Sequence, residues 1–427
     1  MKFNAKTSLV VLLIALFFPC VVMGQLTAVS DDVVSTAYSS GSQDQIYIFC
    51  AAPDENAGQL TATSSTAVAA GFEWFKYNPG TGSFDAYQSD NSGAASSTIS
   101  NLESGCYRVE VTFGETTELY TAWVMNSWYA ATAEITESTC DYFQIQAAFD
   151  EASSVYYDLA TGSELQVFKD VKVRWEADGE PVASVLSPQV FSPPARNTEY
   201  KLTVYDRFGC QVKVPVSYQS IVTEASFDAT PLEGEAPLEV LFTSTSLNAD
   251  GYEWFFFRDR DELIQEGLDG GVVEDSILAT AIDENPVFIY ENSGTYQVKL
   301  VTTKNSENFA CTDTFYLEDY IVVQNSLLEV ANVFTPNGDG VNDVFVVKYR
   351  SIKSINIQVF NRWGRKVHTW ENNNVQGFEE TSSESVWDGR IGGRYASPGV
   401  YYYVVRAEGR DGETQNAHGF VHLFREK

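Results

Sequence analysis

The chain has 427 residues with 27 Lys and Arg against 58 Asp and Glu, which gives a formal net charge of −31. A field of this sign repels nucleic acid and anionic membranes, so nucleic acid is excluded as a partner. The length predicts two to four domains, at roughly 100 to 200 residues each, and the short strand-like segments favour four.

The N-terminus has the pattern of a signal peptide. Lys2 and Lys6 precede an unbroken apolar run over residues 9–18. A membrane-spanning helix needs about 20 apolar residues, and this run is much shorter. We therefore expect residues 1–24 to be a cleaved signal peptide, removed together with Cys20.

Charged residues, cysteines and histidines are distributed unevenly over the rest of the chain. Residues 326–427 hold 12 basic and 12 acidic side chains, whereas residues 25–325 hold 13 basic and 46 acidic ones. Five cysteines lie in residues 25–325, where export to an oxidising compartment makes disulfides plausible and the odd number leaves one over. All three histidines lie in residues 326–427.

The composition of residues 25–325 also limits the chemistry available there. Without histidine this region has no Ser-His-Asp triad, Cys-His pair or histidine-ligated zinc site. A pair of carboxylates could still hydrolyse a glycoside, but such a site needs a deep cleft, which sandwiches of about 100 residues seldom provide. We therefore predict no enzyme, no catalytic residue and no cofactor.

Strand signals dominate the chain. Residues 107–111, 296–300 and 355–359 alternate apolar with polar side chains, the pattern of a half-buried strand. Aromatic residues make up 14% of the chain, which suits thin cores between two sheets. We predict an all-β fold, a tandem array of four antiparallel β-sandwich domains after the signal peptide, with boundaries at 25–126, 127–221, 222–325 and 326–427.

Two segments carry cysteine and tryptophan in the order Cys-Trp-Cys, namely Cys50, Trp74 and Cys106, then Cys140, Trp175 and Cys210. This order resembles an immunoglobulin-like sandwich, where a disulfide between facing sheets packs on the tryptophan. The resemblance implies a Cys50–Cys106 bond, with two free buried thiols as the alternative, and a Cys140–Cys210 bond that would tie a hairpin end. Cys311 would then remain unpaired.

Residues 222–325 resemble a PKD (polycystic-kidney-disease-type) domain. The resemblance rests on an opening turn and strand at 230–242, a Tyr-x-Trp strand at 252–254 and a Tyr-x-x-x-Gly-x-Tyr-x-Val strand over 290–300. Residues 255–259 read Phe-Phe-Phe-Arg-Asp where the family usually has Trp-Asp-Phe-Gly-Asp-Gly. PKD domains are sandwich modules of surface proteins and secreted enzymes, so the resemblance implies a spacer or adhesive role.

Residues 327–427 contain several long motifs, within 332–345, 359–364, 387–389, 397–403 and 419–423. The motif residues include Thr335, Pro336, Asn337, Gly338, Asp339, Gly340, Asn342, Asp343, Asn361, Arg362, Trp363, Gly364, Trp387, Asp388 and Gly389. In order and spacing they resemble the gliding-motility-associated C-terminal domain, the type B sorting domain of the type IX secretion system of Bacteroidota. The resemblance implies Sec export to the periplasm, passage across the outer membrane, and an extracellular or outer-membrane surface location. The implied partners are the translocon and an outer-membrane protein of the PorP/SprF kind.

The first of these motifs also has a direct chemical interpretation. Asn337 and Asp339 each precede a glycine, a combination typical of turns. Together with Asn342 and Asp343 they gather hard oxygen ligands within seven residues, as a Ca²⁺ loop does. The spacing matches a calcium loop only in part, so we favour turn chemistry and keep Ca²⁺ as the alternative.

Several other residues carry separate expectations. Trp363 and Trp387 are most simply core aromatics, and His418 and His422 are expected at surface or core positions rather than on a metal. Residues 275–277, Asp-Ser-Ile, resemble the O-glycosylation acceptor of Bacteroidota, with Ser276 as the modified residue.

The sequence thus predicts a secreted binding or adhesion protein of the cell surface, whose ligand is an unknown extracellular protein or glycan. One alternative is a structural or accessory subunit of a surface gliding or secretion apparatus. Another is a carbohydrate-binding protein that works beside a separate enzyme.

Overall fold

The computed structural model describes residues 25–66, 68–269, 275–308, 310–375 and 382–425, and the predicted signal peptide lies outside them. Within this part of the chain there are 38 strands and one helix, which confirms the all-β fold class. No helix found there has the length and apolar character that a membrane span requires.

The chain forms two compact units. Unit 1 comprises the described residues up to Ser138 together with Tyr142–Phe191 and Thr198–Tyr218. Unit 2 comprises Thr139–Asp141, Ser192–Asn197 and the described residues from Gln219 onward.

The first part of unit 1 is a sandwich of a three-stranded sheet, in the order β1-β4-β7, and a six-stranded sheet, in the order β2-β3-β9-β8-β5-β6. Neighbouring strands are antiparallel except for the parallel pair β3 and β9. The strands are β1 (Gln25–Thr27), β2 (Asp32–Ser35), β3 (Gln45–Cys50), β4 (Gly58–Thr63), β5 (Gly71–Asn78), β6 (Ser83–Asp90), β7 (Ser96–Leu102), β8 (Gly105–Phe113) and β9 (Thr116–Ser127).

The second part of unit 1 has a three-stranded sheet β10-β11-β16, a two-stranded sheet β12-β13 and a four-stranded sheet β15-β14-β17-β18. Its strands are β10 (Tyr129–Ser138), β11 (Tyr142–Glu151), β12 (Val155–Tyr157), β13 (Glu164–Gln166), β14 (Lys172–Ala177), β15 (Glu180–Ala183), β16 (Gln189–Phe191), β17 (Thr198–Tyr205) and β18 (Gln211–Tyr218).

Alternation along β8 divides its side chains between two cores. Tyr107 joins Trp74 in the core of the first sandwich, where the Trp74 indole N–H donates to Ser97 Oγ at 3.3 Å. Cys106 faces the other way and packs in a cluster that also contains Trp175. This second cluster takes residues from both sides of position 127, so the two parts of unit 1 share one core.

Both predicted disulfides are wrong. The structure pairs Cys50 with Cys210, at a Cα separation of 5.0 Å, and Cys140 with Cys311, at 5.5 Å. Cys106 is the buried free thiol, and Cys311, expected to be unpaired, is bonded.

The first error follows from the face that each cysteine occupies. A Cys50–Cys106 bond against Trp74 would require both sulfurs inside the first sandwich. Cys106 instead lies in the cluster shared with residues 129–218, and partly buried Cys50 packs against that cluster. Cys210 closes a turn that enters the same cluster, because Asp206 Oδ1 accepts the N–H groups of Phe208 and Cys210.

The second error has a similar cause. Cys140 lies in the exposed turn between β10 and β11, which belongs to unit 2, whereas Cys210 lies in unit 1. Its partner Cys311 is a buried residue of the strand Ala310–Tyr316 in unit 2. The sequence pattern indicated which cysteines lie in strands and turns, but pairing depends on which of them approach within bonding distance.

The first part of unit 2 contains sheets β19-β21-β24, β20-β28-β25 and β23-β22-β26-β27, with a core around Trp254. Its elements are β19 (Phe227–Thr230), β20 (Glu233–Glu235), β21 (Leu238–Ser244), β22 (Gly251–Phe257), α1 (Arg260–Leu268), β23 (Ile277–Ala281), β24 (Val287–Tyr290), β25 (Gly294–Tyr296), β26 (Val298–Asn305), β27 (Ala310–Tyr316) and β28 (Ile321–Gln324).

Helix α1 begins where the sequence departs from the PKD pattern. Asp259 caps it, since one carboxylate oxygen accepts the N–H groups of Asp261 and Glu262, both at 3.0 Å. The other oxygen accepts the N–H of Thr295 at 2.6 Å. A single acidic side chain therefore caps the helix and binds the backbone of β25.

The last part of unit 2 has a three-stranded sheet β29-β31-β34, a five-stranded sheet β30-β38-β37-β32-β33 and a small hairpin β35-β36. Its strands are β29 (Leu327–Val330), β30 (Val333–Phe334), β31 (Phe345–Arg350), β32 (Ile352–Phe360), β33 (Lys366–Asn372), β34 (Ser382–Trp387), β35 (Arg390–Ile391), β36 (Arg394–Tyr395), β37 (Gly399–Gly409) and β38 (Thr414–Leu423).

Polar contacts join the two parts of unit 2. Arg410 Nη1 donates to Glu291 Oε2 at 3.0 Å, and Arg410 accepts the N–H of Ser293 on its carbonyl oxygen. The Ser351 N–H donates to Glu235 Oε2 at 3.2 Å. Glu235 is 6% exposed, and burial raises the pKa of its carboxyl group.

Candidate functional site

The loop between β30 and β31 is organised by its own acidic and amide side chains. The two carboxylate oxygens of Asp343 accept the N–H groups of Gly338 and Gly340, at 2.6 and 2.7 Å. Asn337 Nδ2 donates to Asp339 Oδ2 at 2.8 Å, and this bond lowers the pKa of Asp339.

These contacts bear on the predicted calcium loop. The oxygens of Asn337, Asp339 and Asp343 already accept hydrogen bonds within the loop, and the carbonyl of Asn342 accepts the Thr335 N–H. Across the described residues no group of three or more His, Cys, Asp or Glu side chains is placed to hold a metal. The geometry favours turn chemistry, and Ca²⁺ stays a prediction.

Two motifs meet in the core of the C-terminal domain. Trp387 is 2% exposed, lies 5.4 Å from the Phe334 ring between centroids, and donates its indole N–H to the Arg390 carbonyl at 2.8 Å. Gly389 has φ +74°, and a β-carbon there would come within 3.0 Å of Pro336 Cγ. Only glycine fits that position. The core position expected for Trp387 is confirmed.

The hairpin turn between β32 and β33 presents a different tryptophan. Asn361 Oδ1 accepts the N–H groups of Trp363 and Arg365, both at 3.0 Å, and Gly364 supplies φ +75°. Trp363 is 75% exposed, so the expected core position is wrong. The side chain lies at the tip of the hairpin, beyond the paired strands that cover the core.

Trp363 borders a depression of about 360 Å³ that is basic and aromatic. The Arg362 guanidinium lies 4.2 Å from the centre of the Trp363 ring, and Tyr395, 47% exposed, also lines the depression. Arg390 and Arg425 lie 4.1 and 5.0 Å from the Tyr395 ring. We call Arg362, Trp363, Arg390, Tyr395 and Arg425 the basic aromatic surface.

The outer face of the five-stranded sheet exposes further apolar side chains. Tyr402 and Val404 on β37 are 49% and 50% exposed, and Phe420, directly opposite Tyr402 on β38, is 52% exposed. Tyr402 and Phe420 lie within the motif segments 397–403 and 419–423, but their exposure on one face was not predicted. Period-2 alternation was the available signal, because Tyr401 is buried and its neighbour must face outward.

Two histidines and the predicted glycosylation site occupy exposed or half-buried positions. His418 is exposed, and His422 is half-buried with its ring stacked 5.6 Å from that of Phe424. Ser276 is half-buried, and its carbonyl accepts the Arg258 N–H at 2.9 Å. Its glycosylation stays a prediction.

A cavity of about 510 Å³ in unit 2 gathers several carboxylates. Asp259 caps α1, and Asp411 accepts the N–H groups of Ser326 and Glu413. Glu291 pairs with Arg410. Each of these three carboxylates is thus engaged in a contact that supports the fold.

Comparison with known proteins identifies the C-terminal domain. Residues 328–423 match the family described as the CHU_C Type IX secretion signal domain. This domain is a signal for the type IX secretion machinery, so the protein is exported to the cell surface or the extracellular space. No curated protein sequence matches the chain.

The chain is also similar, at low sequence identity, to several solved multidomain structures. Three N-terminal domains of the bacteriophage RB49 highly immunogenic outer capsid protein are 9% identical, covering 61% of this chain and 92% of that one, with a TM-score of 0.22. Titin domains I67–I69 are 12% identical, covering 60% and 91%, with a TM-score of 0.28. Sidekick-1 immunoglobulin domains 1–5 are 11% identical, covering 93% and 100%, with a TM-score of 0.23.

Proposed function

We propose that this exported protein binds an extracellular partner at the cell surface through residues 25–325, without transforming it. We call residues 25–325 the passenger. The observation that carries the proposal is the combination of a type IX secretion signal at residues 328–423 with a passenger that contains no histidine. Histidine is the side chain most often used for proton transfer near pH 7.

The form of the passenger supports binding rather than catalysis. Its sandwiches present turns and sheet faces to solvent. It contains 46 acidic and 13 basic side chains, so its surface is acidic and well hydrated. The carboxylates in the unit 2 cavity are held by a helix cap, a turn and an ion pair. A partner protein or glycan is the class of ligand that such a surface accommodates.

The C-terminal domain, residues 326–427, performs delivery in this proposal, and we call it the delivery domain. It would contact the translocon and a PorP/SprF-like outer-membrane protein through two exposed features. These are the basic aromatic surface and the outer sheet face around Tyr402 and Phe420. Arginine and aromatic residues are enriched at the centres of protein interfaces. The motif residues beneath them, including Trp387 and Gly389, support the fold.

The test is capture of the partner by the native protein. The tagged full-length chain is expressed in its own cells, crosslinked at the surface and purified, with a reporter carrying only residues 326–427 as the matched control. We expect an extracellular protein or glycan to copurify with the full chain and to be missing from the control. Equal recovery with both would assign the partner to the delivery domain, and turnover of a glycan by the purified protein would contradict the non-enzymatic role.

A further inference from the structure

One edge of the β19-β21-β24 sheet is apolar. Strand β24 (Val287–Tyr290) has β21 on one side and no described strand on the other. Open strand edges are templates for pairing with another chain, and proteins usually protect them with charged residues or proline. Other edge strands of this chain carry such charges, Asp85 on β6 and Lys366 on β33, whereas β24 reads Val-Phe-Ile-Tyr.

The register of β24 determines which of its main-chain groups face the open side. The Phe242 N–H donates to the Pro286 carbonyl at 3.0 Å, and Leu241 lies opposite Val287. Because hydrogen-bonded and non-bonded pairs alternate in an antiparallel ladder, the N–H and C=O groups of Val287 and Ile289 point away from β21. No described residue bonds these four groups. They form a short row of donors and acceptors that a further strand can pair with.

The same two residues expose apolar side chains. Val287 is 55% exposed and Ile289 46%, both on the outer face of the sheet. Leu241, 42% exposed, lies directly opposite Val287 and widens this apolar strip, since opposite side chains are about 4.5–5.5 Å apart at Cβ. A strand added at the edge would place its own outward side chains beside Val287 and Ile289.

There is space for a strand beside β24. The cavity of about 510 Å³ in unit 2 is lined by residues 288–293 and by exposed Leu278 of β23, and no residue of β21 lines it. The cavity therefore lies on the open side of β24. Because β23 pairs only with β22 among the described strands, an added strand would lie between the edges of two sheets.

The charges around this edge are negative. Glu239 lies directly opposite Ile289 on the exposed face of β21. Asp283 and Glu284 are exposed in the turn that precedes β24. These carboxylates attract Lys and Arg side chains and repel Asp and Glu.

The two arginines that line the cavity do not reverse this sign, because both are already paired. Arg258 forms an ion pair with Glu266, and Arg410 forms one with Glu291. A second copy of the chain would bring the same carboxylates against each other, in a passenger with 46 acidic and 13 basic side chains. The charges therefore favour a basic segment of a different protein.

We infer that β24 binds an extended segment of a partner protein by strand addition, and that this segment carries basic side chains among apolar ones. Main-chain hydrogen bonds to Val287 and Ile289 supply affinity in this mode, and the flanking side chains supply specificity. The inference rests on the proposed binding function and names the surface and the kind of partner.

The probe is a synthetic peptide, Lys-Val-Lys-Val-Lys-Val-Lys with blocked ends, titrated against the full-length exported protein by fluorescence anisotropy. We expect it to bind and to slow hydrogen exchange at the amides of Val287 and Ile289. Two further peptides are N-methylated, one at the valines and one at the inner lysines. One of them should fail to bind, because alternate N–H groups of an added strand face β24.

Two substitutions at the edge should each weaken peptide binding about tenfold, the equivalent of about 1.4 kcal/mol. Val287→Pro removes an outward N–H that no described residue uses, and edge strands tolerate proline. Ile289→Lys replaces an exposed apolar side chain with a cation that repels the peptide. Leu247→Lys, at a position 49% exposed and outside this edge, is the matched control and should bind normally.

Several results would overturn strand addition at β24. They are no binding of the peptide, equal binding of both N-methylated peptides, unchanged exchange at Val287 and Ile289, and binding that survives both substitutions. A dimer of the protein that Ile289→Lys dissociates would assign the edge to a second copy instead.

The surface-capture experiment repeated with Ile289→Lys separates this inference from the proposed function. Loss of the captured partner supports the edge as its binding site. A partner still captured by this variant leaves the binding function standing and removes β24 from it. Failure of the wild-type protein to capture a partner removes the binding function, whatever the peptide titrations show.

Discussion

Residues 25–325 and residues 326–427 reach the same fold class by different means. Each region contains sandwiches built around a buried tryptophan, Trp74, Trp175 and Trp254 in the first and Trp387 in the second. The first region adds two disulfides and an acidic excess, whereas the second contains no cysteine and equal numbers of acidic and basic residues. Packing alone therefore has to stabilise the delivery domain, while covalent bonds that form only in an oxidising compartment reinforce the passenger.

The surfaces of the two regions differ in the same direction. Carboxylates dominate residues 25–325, and such a coat keeps the passenger apart from anionic partners. The delivery domain exposes tryptophan, tyrosine and arginine at one end. The two regions therefore differ in the chemistry that they present to solvent, acidic in one and basic and aromatic in the other.

The largest effect is expected when the delivery domain is moved to another protein. A reporter with an N-terminal signal peptide and residues 326–427 at its C-terminus should appear at the cell surface or in the medium, because the domain carries the export signal by itself. The same reporter without residues 326–427 should stay in the periplasm. Immunoblots of cell fractions measure the distribution, and equal secretion of both reporters would break the division of roles.

A second prediction concerns the disulfides of the passenger. Replacing Cys50 and Cys210 together by alanine should destabilise unit 1 by about 5 kcal/mol in the chain-entropy model, because the bond closes a loop across 160 residues. Cys106→Ala removes only a buried thiol and is the matched control, with an expected cost of about 1 kcal/mol. Denaturant unfolding measures both.

Peptide mapping under non-reducing conditions tests the same bonds directly. Linked peptides containing Cys50 with Cys210 and Cys140 with Cys311 are expected. Recovery of a Cys50–Cys106 peptide would restore the pairing inferred from the sequence. Reduction should lower the melting temperature of residues 25–325 and leave that of the delivery domain unchanged.

The two tryptophans of the delivery domain sharpen the comparison between fold and recognition. Trp387→Ala should cost about 3–5 kcal/mol of stability, since the side chain is buried and its indole N–H is bonded. Trp363→Ala should change stability by about 0.5 kcal/mol or less, because the residue is 75% exposed, yet it should lower secretion. Thermal unfolding and quantitative secretion assays separate the effects, and normal secretion of Trp363→Ala would remove the basic aromatic surface from the recognition role.

The smallest effect is expected at Glu235. Burial raises its folded-state pKa above the usual value of about 4.3, so its contribution to stability is complete below that value and is lost as the pH rises through the raised pKa. Glu235→Gln stays neutral and still offers an oxygen to the Ser351 N–H, so unit 2 should gain about 1 kcal/mol or less at pH 7 and lose this part of its pH dependence. Unfolding curves at pH 4 and pH 7 measure it, with Glu239→Gln, on an exposed position of β21, as the control. A gain that is equal at both pH values would contradict the assignment.

Local pattern was sufficient for most of the fold. Alternation predicted strands at 107–111 and 355–359, and each of these segments lies within one described strand. The segment predicted at 296–300 is instead divided between the end of β25 and the start of β26, with residue 297 outside both. The turn chemistry of Asn337, Asp339 and Asn361 is also local, since each side chain bonds backbone groups within a few residues. These features depend on neighbours along the chain and can be inferred without the fold.

The motifs of the delivery domain could be recognised in the sequence as a set, but not divided by role. Trp363 lies between Arg362 and Gly364, Trp387 lies between Val386 and Asp388, and both were expected in the core. The difference arises because Trp363 lies at the tip of a hairpin, whereas Trp387 ends a strand that covers the core.

The sequence by itself determined that this is an all-β exported protein with an acidic passenger and a neutral secretion domain, because strand alternation, charge and long motifs are properties of short segments. Only the tertiary structure decided which cysteines pair and which tryptophan is exposed. Each of these depends on which face of a strand meets another element. A period-2 pattern shows that a strand has two faces, but it cannot show what lies against each of them.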